Sequence, residues 1–356
     1  SDIGAGTVGP GDAFKYRITV SNTGGDALGL TIEVDPGLDA NTTVSSVQTQ
    51  PIGVDDNYQG FGNVTLDVPA ASGALGNDLD PDGDTPRVDI ANSAAASAQG
   101  GTVTWNDVGG GLGDGAFTYA PPAGFRGIDT FTYQVIDDDA RVDTATVSVR
   151  LETTVWFVDN TSGGTNIGTL GNPFQSITAT NLNGAAGAGD QDGPGDIIFF
   201  FSGAGSYAGG LELEDRQLVL GPEDGLILDG HVLIPDTDDA RPTLTAAAGN
   251  ALTLASDNEL RALNIGNTPT GVGIAGSNFG TFTASQVAIS GSGGAVDLDN
   301  GTSAATFESI ASTNGTLGID LDAVDGSFVV SGSTTINGTS GTGIRVVNGG
   351  STYDFG

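Results

Sequence analysis

From residue 251 onward a short apolar-x-apolar triplet returns once every 20 to 25 residues. It is carried by Ala251-Leu252-Thr253-Leu254, Gly271-Val272-Gly273-Ile274, Ala295-Val296-Asp297-Leu298, Gly318-Ile319-Asp320-Leu321 and Gly343-Ile344-Arg345-Val346, whose second positions lie 20, 24, 23 and 25 residues apart. A second series keeps step in the same coils: Leu263 and Ile265, Val287 and Ile289, Phe307 and Ile310, then Ile336. A sandwich would place its turns every roughly 8 to 12 residues. The longer period is that of a solenoid, whose coils each bury an aliphatic row against the coils above and below. No leucine-rich or WD signature accompanies it, and a right-handed parallel β-helix is expected over residues 153-356. About nine rungs at about 4.8 Å each would make a shaft about 40 Å long. Asn300-Gly301-Thr302, Asn314-Gly315-Thr316 and Asn337-Gly338-Thr339 satisfy the glycosylation pattern, but Asn-Gly corners account for them.

The rest of the chain is also built from strands. Segments with helical periodicity in Ala, Leu, Glu and Lys are almost absent, so the whole chain reads as all-β. Its 44 acidic residues against 10 Lys plus Arg give a net charge of -34, which repels phosphate-bearing partners, so neither nucleic acid nor an anionic membrane is expected as a ligand. Without cysteine there is no disulfide framework, thiolate metal site or cysteine nucleophile. With no apolar run of 18 residues, no membrane insertion is expected.

Two stretches precede the solenoid. Residues 1-50 alternate in Ala13-Phe14-Lys15-Tyr16-Arg17-Ile18-Thr19-Val20, turn at Ser21-Asn22-Thr23-Gly24-Gly25 and return through Leu30-Thr31-Ile32-Glu33-Val34. Such a hairpin needs a covering sheet. The phrase from Gly9 to Gly24 resembles the β-sandwich repeats of large bacterial surface proteins, which implies a partial sandwich here. Residues 51-152 hold short alternating strands, among them Val64-Thr65-Leu66-Asp67-Val68, Gly101-Thr102-Val103-Thr104-Trp105, Ala116-Phe117-Thr118-Tyr119 and Thr130-Phe131-Thr132-Tyr133-Gln134-Val135. With Val54-Asp55-Asp56-Asn57-Tyr58, Leu75-Gly76-Asn77-Asp78-Leu79-Asp80-Pro81-Asp82-Gly83-Asp84 and Val135-Ile136-Asp137-Asp138, this stretch resembles the tandem cadherin-like, Ig-like repeats of bacterial giant adhesins. The opening of the solenoid is similar to pectate-lyase-like β-helix proteins, through Val155-Trp156-Phe157-Val158-Asp159, Asn172-Pro173-Phe174-Gln175-Ser176-Ile177 and Pro194-Gly195-Asp196-Ile197-Ile198. That resemblance implies a short capping helix begun at Asn172-Pro173-Phe174, covering an otherwise open sheet edge.

The sharpest chemical constellation is Asp78-Leu79-Asp80-Pro81-Asp82-Gly83-Asp84, with Asp89 seven residues after Asp82. Alternate carboxylates in a glycine-assisted turn repel unless a hard cation lies among them, and oxygen-only ligands at this spacing select Ca²⁺. No flanking helices exist, so it is not an EF-hand pair. In the resembled repeats such loops lie at domain junctions, which implies that Asp55, Asp56 and the run Asp137-Asp138-Asp139 join from neighbouring strands. The expected ligands are Asp78, Asp80, Asp82, Asp84, Asp89, Asp56 and Asp137. Asp190, Asp192 and Asp196, and separately Asp236, Asp238 and Asp239, form weaker acidic groups.

Catalysis is not expected. The solenoid has no lysine, one histidine and four arginines (Arg216, Arg241, Arg261 and Arg345). Asp297, Asp299, Asp320 and Asp322 stack as a formal carboxylate pair but alternate with core aliphatics, as an outward polar face does. His231 lacks a second histidine or a serine partner. Gly109-Gly110-Gly111-Leu112-Gly113-Asp114-Gly115 lacks the lysine and following helix of a phosphate loop and reads as a hairpin turn. Trp105 and Trp156 fall at core positions, the alternative being a sugar-stacking platform. The expectation is an extracellular, cell-surface structural protein, an adhesin stalk or filament subunit stiffened by Ca²⁺. End-to-end homotypic assembly or contact with neighbouring domains would be its partnership, with a surface glycan as a further ligand. The alternative is a carbohydrate-active or carbohydrate-binding β-helix.

Overall fold

The computed structural model describes residues 49–183, 190–237, 240–350 and 352–356; the partial sandwich expected over 1-50 lies outside them except for its last two residues. Among the described residues, helix is confined to three 3-10 turns, Ala70–Ser72, Ala74–Gly76 and Ile90–Asn92.

Seven strands build the first body: β1 (Asp56–Gly62), β2 (Leu66–Val68), β3 (Arg87–Asp89), β4 (Thr102–Gly109), β5 (Leu112–Ala120), β6 (Gly127–Ile136) and β7 (Val142–Val158). β5 runs antiparallel to both β2 and β4, β7 lies between β1 and β6, and β3 touches both β5 and β6. Period-two alternation sends one face of each strand inward. Val103, Trp105, Phe117, Tyr119, Phe131, Tyr133, Val147 and Val149 meet in one core. Trp105 lies 5.3 Å from Phe117 and 5.6 Å from Tyr133, between ring centroids. Gly110 and Gly111, at φ 71° and 80°, close the β4–β5 hairpin, the left-handed pair that a two-residue turn requires.

β7 does not stop at the sandwich. Its residues 142 to 151 pair with β6, and Val155 to Val158 pair in parallel with Ile197 to Phe200, the next coil of the solenoid. The expected boundary between 152 and 153 therefore falls inside one continuous strand.

Three columns of parallel strands follow. One stacks Val155, Ile197, Leu218, Glu259 and Thr283; another stacks Tyr207, Leu244, Ile265 and Ile289. The third stacks Leu211, Leu252, Ile274, Val296, Ile319 and Ile344. The solenoid has about 6 turns, not nine, and spans about 24 Å from first to last strand of the third column. Two excursions take up the residues that a uniform period would assign to further rungs. One is the segment between β7 and Ile197; the other carries a hairpin of Leu226–Leu228 with His231–Ile234, whose Asp229-Gly230 turn has φ 48° and 80°.

The third column also corrects a register. Leu252 is paired with Ile274, not with Val272, a slip of two residues that keeps the inward face inward. Val272 instead faces Gly294, where a Cβ would lie 2.5 Å from Val272 Cγ1. Only glycine leaves room for that valine.

The capping helix expected at Asn172-Pro173-Phe174 is absent. The segment forms turns and single bridges, Thr169 to Asn172 and Val158 to Phe174. Gly171, Pro173 and the β-branched Ile177 and Thr178 are poor helix formers. Covering is achieved by packing: Phe174 stacks on Trp156 with centroids 5.5 Å apart, and Ile177 and Leu182 join the same core.

Candidate metal centre

The Asp-rich loop leaves the sandwich just after Leu79, which bridges Ile52 through two backbone hydrogen bonds. Asp80 begins a turn: the Asp82 N–H donates to Asp80 Oδ1 at 3.0 Å, the Gly83 N–H to the Asp80 carbonyl at 3.3 Å, and Gly83 takes φ 95°. This folds Asp82 and Asp84 back toward the β6–β7 loop. There Asp137 Oδ1 accepts from the Asp139 and Arg141 N–H groups at 2.9 and 2.7 Å. Carboxylate oxygens of Asp82, Asp84 and Asp139 lie within 4.8 Å of one another. Asp80 and Asp137 are buried beside them.

Asp80 Oδ2, Asp82 Oδ1 and Asp137 Oδ2 are buried with no hydrogen-bond partner. Buried polar atoms are almost always paired, and a carboxylate oxygen without a donor among like charges is costly. Burial raises the Asp80 pKa, with Asp82 and Asp137 adding repulsion. Asp82 is lowered instead, chiefly by the Thr49 backbone N–H that donates to it. Asp84 is raised by desolvation and by the carboxylates of Asp82, Asp138, Asp139 and Asp137. The group can satisfy its free oxygens by surrounding a hard cation with oxygen ligands.

Of the expected ligands, Asp80, Asp82, Asp84 and Asp137 come together; Asp78, Asp56 and Asp89 do not. Two residues of extended chain cover about 6.6 Å, so Asp78 lies upstream of the turn, where its Oδ1 accepts from the Val54 N–H at 2.7 Å. Asp78 and Asp56 face the Tyr133 hydroxyl, at 3.0 and 3.1 Å, while the Ala74 carbonyl lies 2.8 Å from the same oxygen. With the Val54 carbonyl at 3.4 Å, one hydroxyl proton is shared among four acceptor groups. Burial pushes the Asp56 and Asp78 carboxyls up to about 6, against the lowering hydrogen bond from Tyr133. Asp89 is carried off by β3 and caps the turn Ile90–Asn92, accepting from the Ala91 N–H at 3.1 Å and the Asn92 amide at 2.8 Å. An extended strand, not a returning loop, follows Asp84. Asp55 accepts from the Thr146 N–H at 2.8 Å, and Asp138 pairs with Arg87 at 3.4 Å.

Thr49 gave no local signal, because it is brought to Asp82 across 33 residues of sequence. Its own carbonyl accepts from Arg141 at 3.1 Å. The chain entering the sandwich thus passes over the acidic group and is tied to both of its loops.

Elsewhere, Asp297, Asp320 and Arg345 occupy one column on successive coils. Arg345 donates to Asp320 and Asp322 at 2.8 Å each. His231 is an exposed hairpin residue, and Trp105 and Trp156 are buried, which leaves neither ring as a sugar platform. Asp236 is exposed, and Asp238 and Asp239 lie outside the described residues.

Residues 48–150 match the family model of the bacterial Ig domain. No curated protein matches the chain, and no solved structure does. No described helix is long and apolar enough to cross a membrane. A bacterial Ig domain followed by a β-solenoid fits an extracellular structural or surface protein.

Proposed function

We propose that this chain is a stiff, non-catalytic segment of an extracellular surface protein, an adhesin stalk or filament component. In this reading Ca²⁺ bound by Asp80, Asp82, Asp84, Asp137 and Asp139 fixes the incoming chain at Thr49 onto the Ig domain. The observation that carries the reading is the single strand β7, which belongs to both the Ig domain and the solenoid and leaves no flexible linker between them. The seam around it is packed. Phe61 and Val64 of the sandwich meet Val155, Phe157, Phe199 and the hairpin residues Leu226 and Leu228 in one apolar cluster. Asn63 donates to the Val155 carbonyl at 3.1 Å and accepts from the Gly124 N–H at 2.7 Å. Buried Asp196 accepts from the Thr154 N–H and the Trp156 indole, and pairs with Arg126.

The calcium part is tested by thermal melts of the whole chain in chelator and in millimolar Ca²⁺. A site at 100 times its dissociation constant adds about 2.7 kcal/mol, so superimposed curves would reject it. The stiffness part is tested by small-angle scattering, in which a broad distribution of distances between the two bodies would reject it. A second reading, a carbohydrate-acting β-helix, draws on the Asp297, Asp320 and Arg345 column. Release of reducing ends or unsaturated products from a polysaccharide panel, abolished by Arg345→Ala, would establish it.

A further inference from the structure

A second group of buried acids lies at the cap of the solenoid, far in sequence from the Ig-domain loop. Asp192 and Glu214 are buried, with 8% and 5% exposure, and each has one carboxylate oxygen without a hydrogen-bond partner, Asp192 Oδ1 and Glu214 Oε2. Gln217, itself 1% exposed, holds the two residues together. Its Nε2 donates to Asp192 Oδ2 at 2.8 Å and to the Gly193 carbonyl at 3.2 Å, and its Oε1 accepts from the Glu214 N–H at 2.9 Å. The free Glu214 Oε2 faces Gly193, next to Asp192: a Cβ added to that glycine would lie 3.6 Å from it. The same Cβ would lie 3.1 Å from Arg126 Nη2, so the glycine makes room for a space shared by that oxygen and the edge of the guanidinium.

The charge around this space is strongly negative. Asp190, Asp196 and Asp215 act on Glu214, and Asp190 and Glu214 act on Asp192. Arg126 is the guanidinium that faces the same group, and it is engaged by Asp196 and by the Pro194 carbonyl at 3.2 Å. Asp196 spends its own oxygens on Thr154, Trp156, Gly193 and Arg126, so it orders the loop and leaves Asp192 and Glu214 as the unsatisfied pair. Two partnerless carboxylate oxygens in a buried, acidic site require either a proton or a cation. All-oxygen donors of this kind suit a hard divalent ion, which completes its shell of about six to eight ligands with carbonyls and water.

We infer that Asp192 and Glu214 form a Ca²⁺-type site of the solenoid cap, independent of the Ig-domain group, which clips the loop 190–196 onto the coil 211–217 beside the seam with the sandwich.

The test counts ions by calorimetry and equilibrium dialysis with Ca²⁺ on the whole chain. Asp192→Asn with Glu214→Gln should bind one ion fewer than the parent, and Asp80→Asn with Asp137→Asn should leave the cap ion in place. An unchanged ion count in the first variant overturns the inference and leaves the Ig-domain reading untouched. Amide hydrogen exchange in the Asp80→Asn, Asp137→Asn background guards against a cap variant that fails to fold. Ca²⁺ should slow exchange at residues 190–196 and 214–217 at least tenfold. No slowing, or a protonated-carboxyl infrared band at neutral pH that persists in millimolar Ca²⁺ and vanishes in Asp192→Asn, would show that a proton occupies the site instead.

Discussion

At the scale of single residues, the acidic loop makes opposite demands with and without an ion. Asp80 is held buried against Asp82 and Asp137, so Asp80→Asn should raise the melting temperature of the chain in chelator at pH 7 and lower it relative to the parent in millimolar Ca²⁺. Calorimetric scans under both conditions check that crossing. Asp56 gives a pH prediction. Its folded pKa, about 6, lies above the unfolded value near 4, so its contribution to stability is fully present below about pH 4 and is lost as pH rises through 6. Asp56→Asn should remove that slope and gain about 2 to 3 kcal/mol on the parent between pH 4 and 7.5, measured by urea unfolding in chelator. The acidic turn was legible from Asp80-Pro81-Asp82-Gly83-Asp84, because alternating acids and a turn glycine are local chemistry. Asp89 and Asp78 were not separable from it, since spacing alone does not say where a loop ends and a strand begins. Thr49 was invisible, because its contact is made by tertiary folding.

At the scale of elements, the solenoid is governed by what sits inside each coil and at each corner. Phe282, Phe307, Phe328 and Phe355 form an internal stack, with centroid separations of 6.5, 5.1 and 6.0 Å. Phe328→Ala should cost about 3 to 5 kcal/mol, read from denaturant midpoints. Corners between successive coils use a left-handed residue: Asp257, Asn278, Asn300, Ala323 and Asn348, with φ from 53° to 62°. Asn300 also donates to Asn278 Oδ1 at 2.6 Å. Ala323 alone in that series has a Cβ and no polar group to offset the strain. Replacing it by Gly or Asn should stabilise the protein by about 1 kcal/mol, seen as a higher midpoint with an unchanged slope. The coil repeat was readable because aliphatic rows and Asn-Gly corners recur at one period. The register at Val272 was not, because the glycine that fixes it lies one coil away, and excursions inside a coil cannot be told from additional coils by counting residues.

At the scale of the whole molecule, β7 runs unbroken from the Ig domain into the solenoid, which predicts that the two unfold as one cooperative body. The intact chain should melt in a single transition, and inserting Gly-Ser-Gly between Glu152 and Thr153 should split it in two, followed by calorimetry. Asp196→Ala, which strands the Trp156 indole, two backbone N–H groups and Arg126, should cost about 3 kcal/mol and disturb both bodies together. The two-body order was evident from the change in texture near residue 152; the shared strand was not, because Glu152-Thr153-Thr154 carries no mark that distinguishes a joint from a continuation. β1 and β7 run side by side in the same direction, registered from Asp56 against Val147 to Gly62 against Thr154. A pull applied upstream of β1 and downstream of β7 would draw these two strands past each other lengthwise, so their rungs of hydrogen bonds would share the load and yield together instead of peeling one by one.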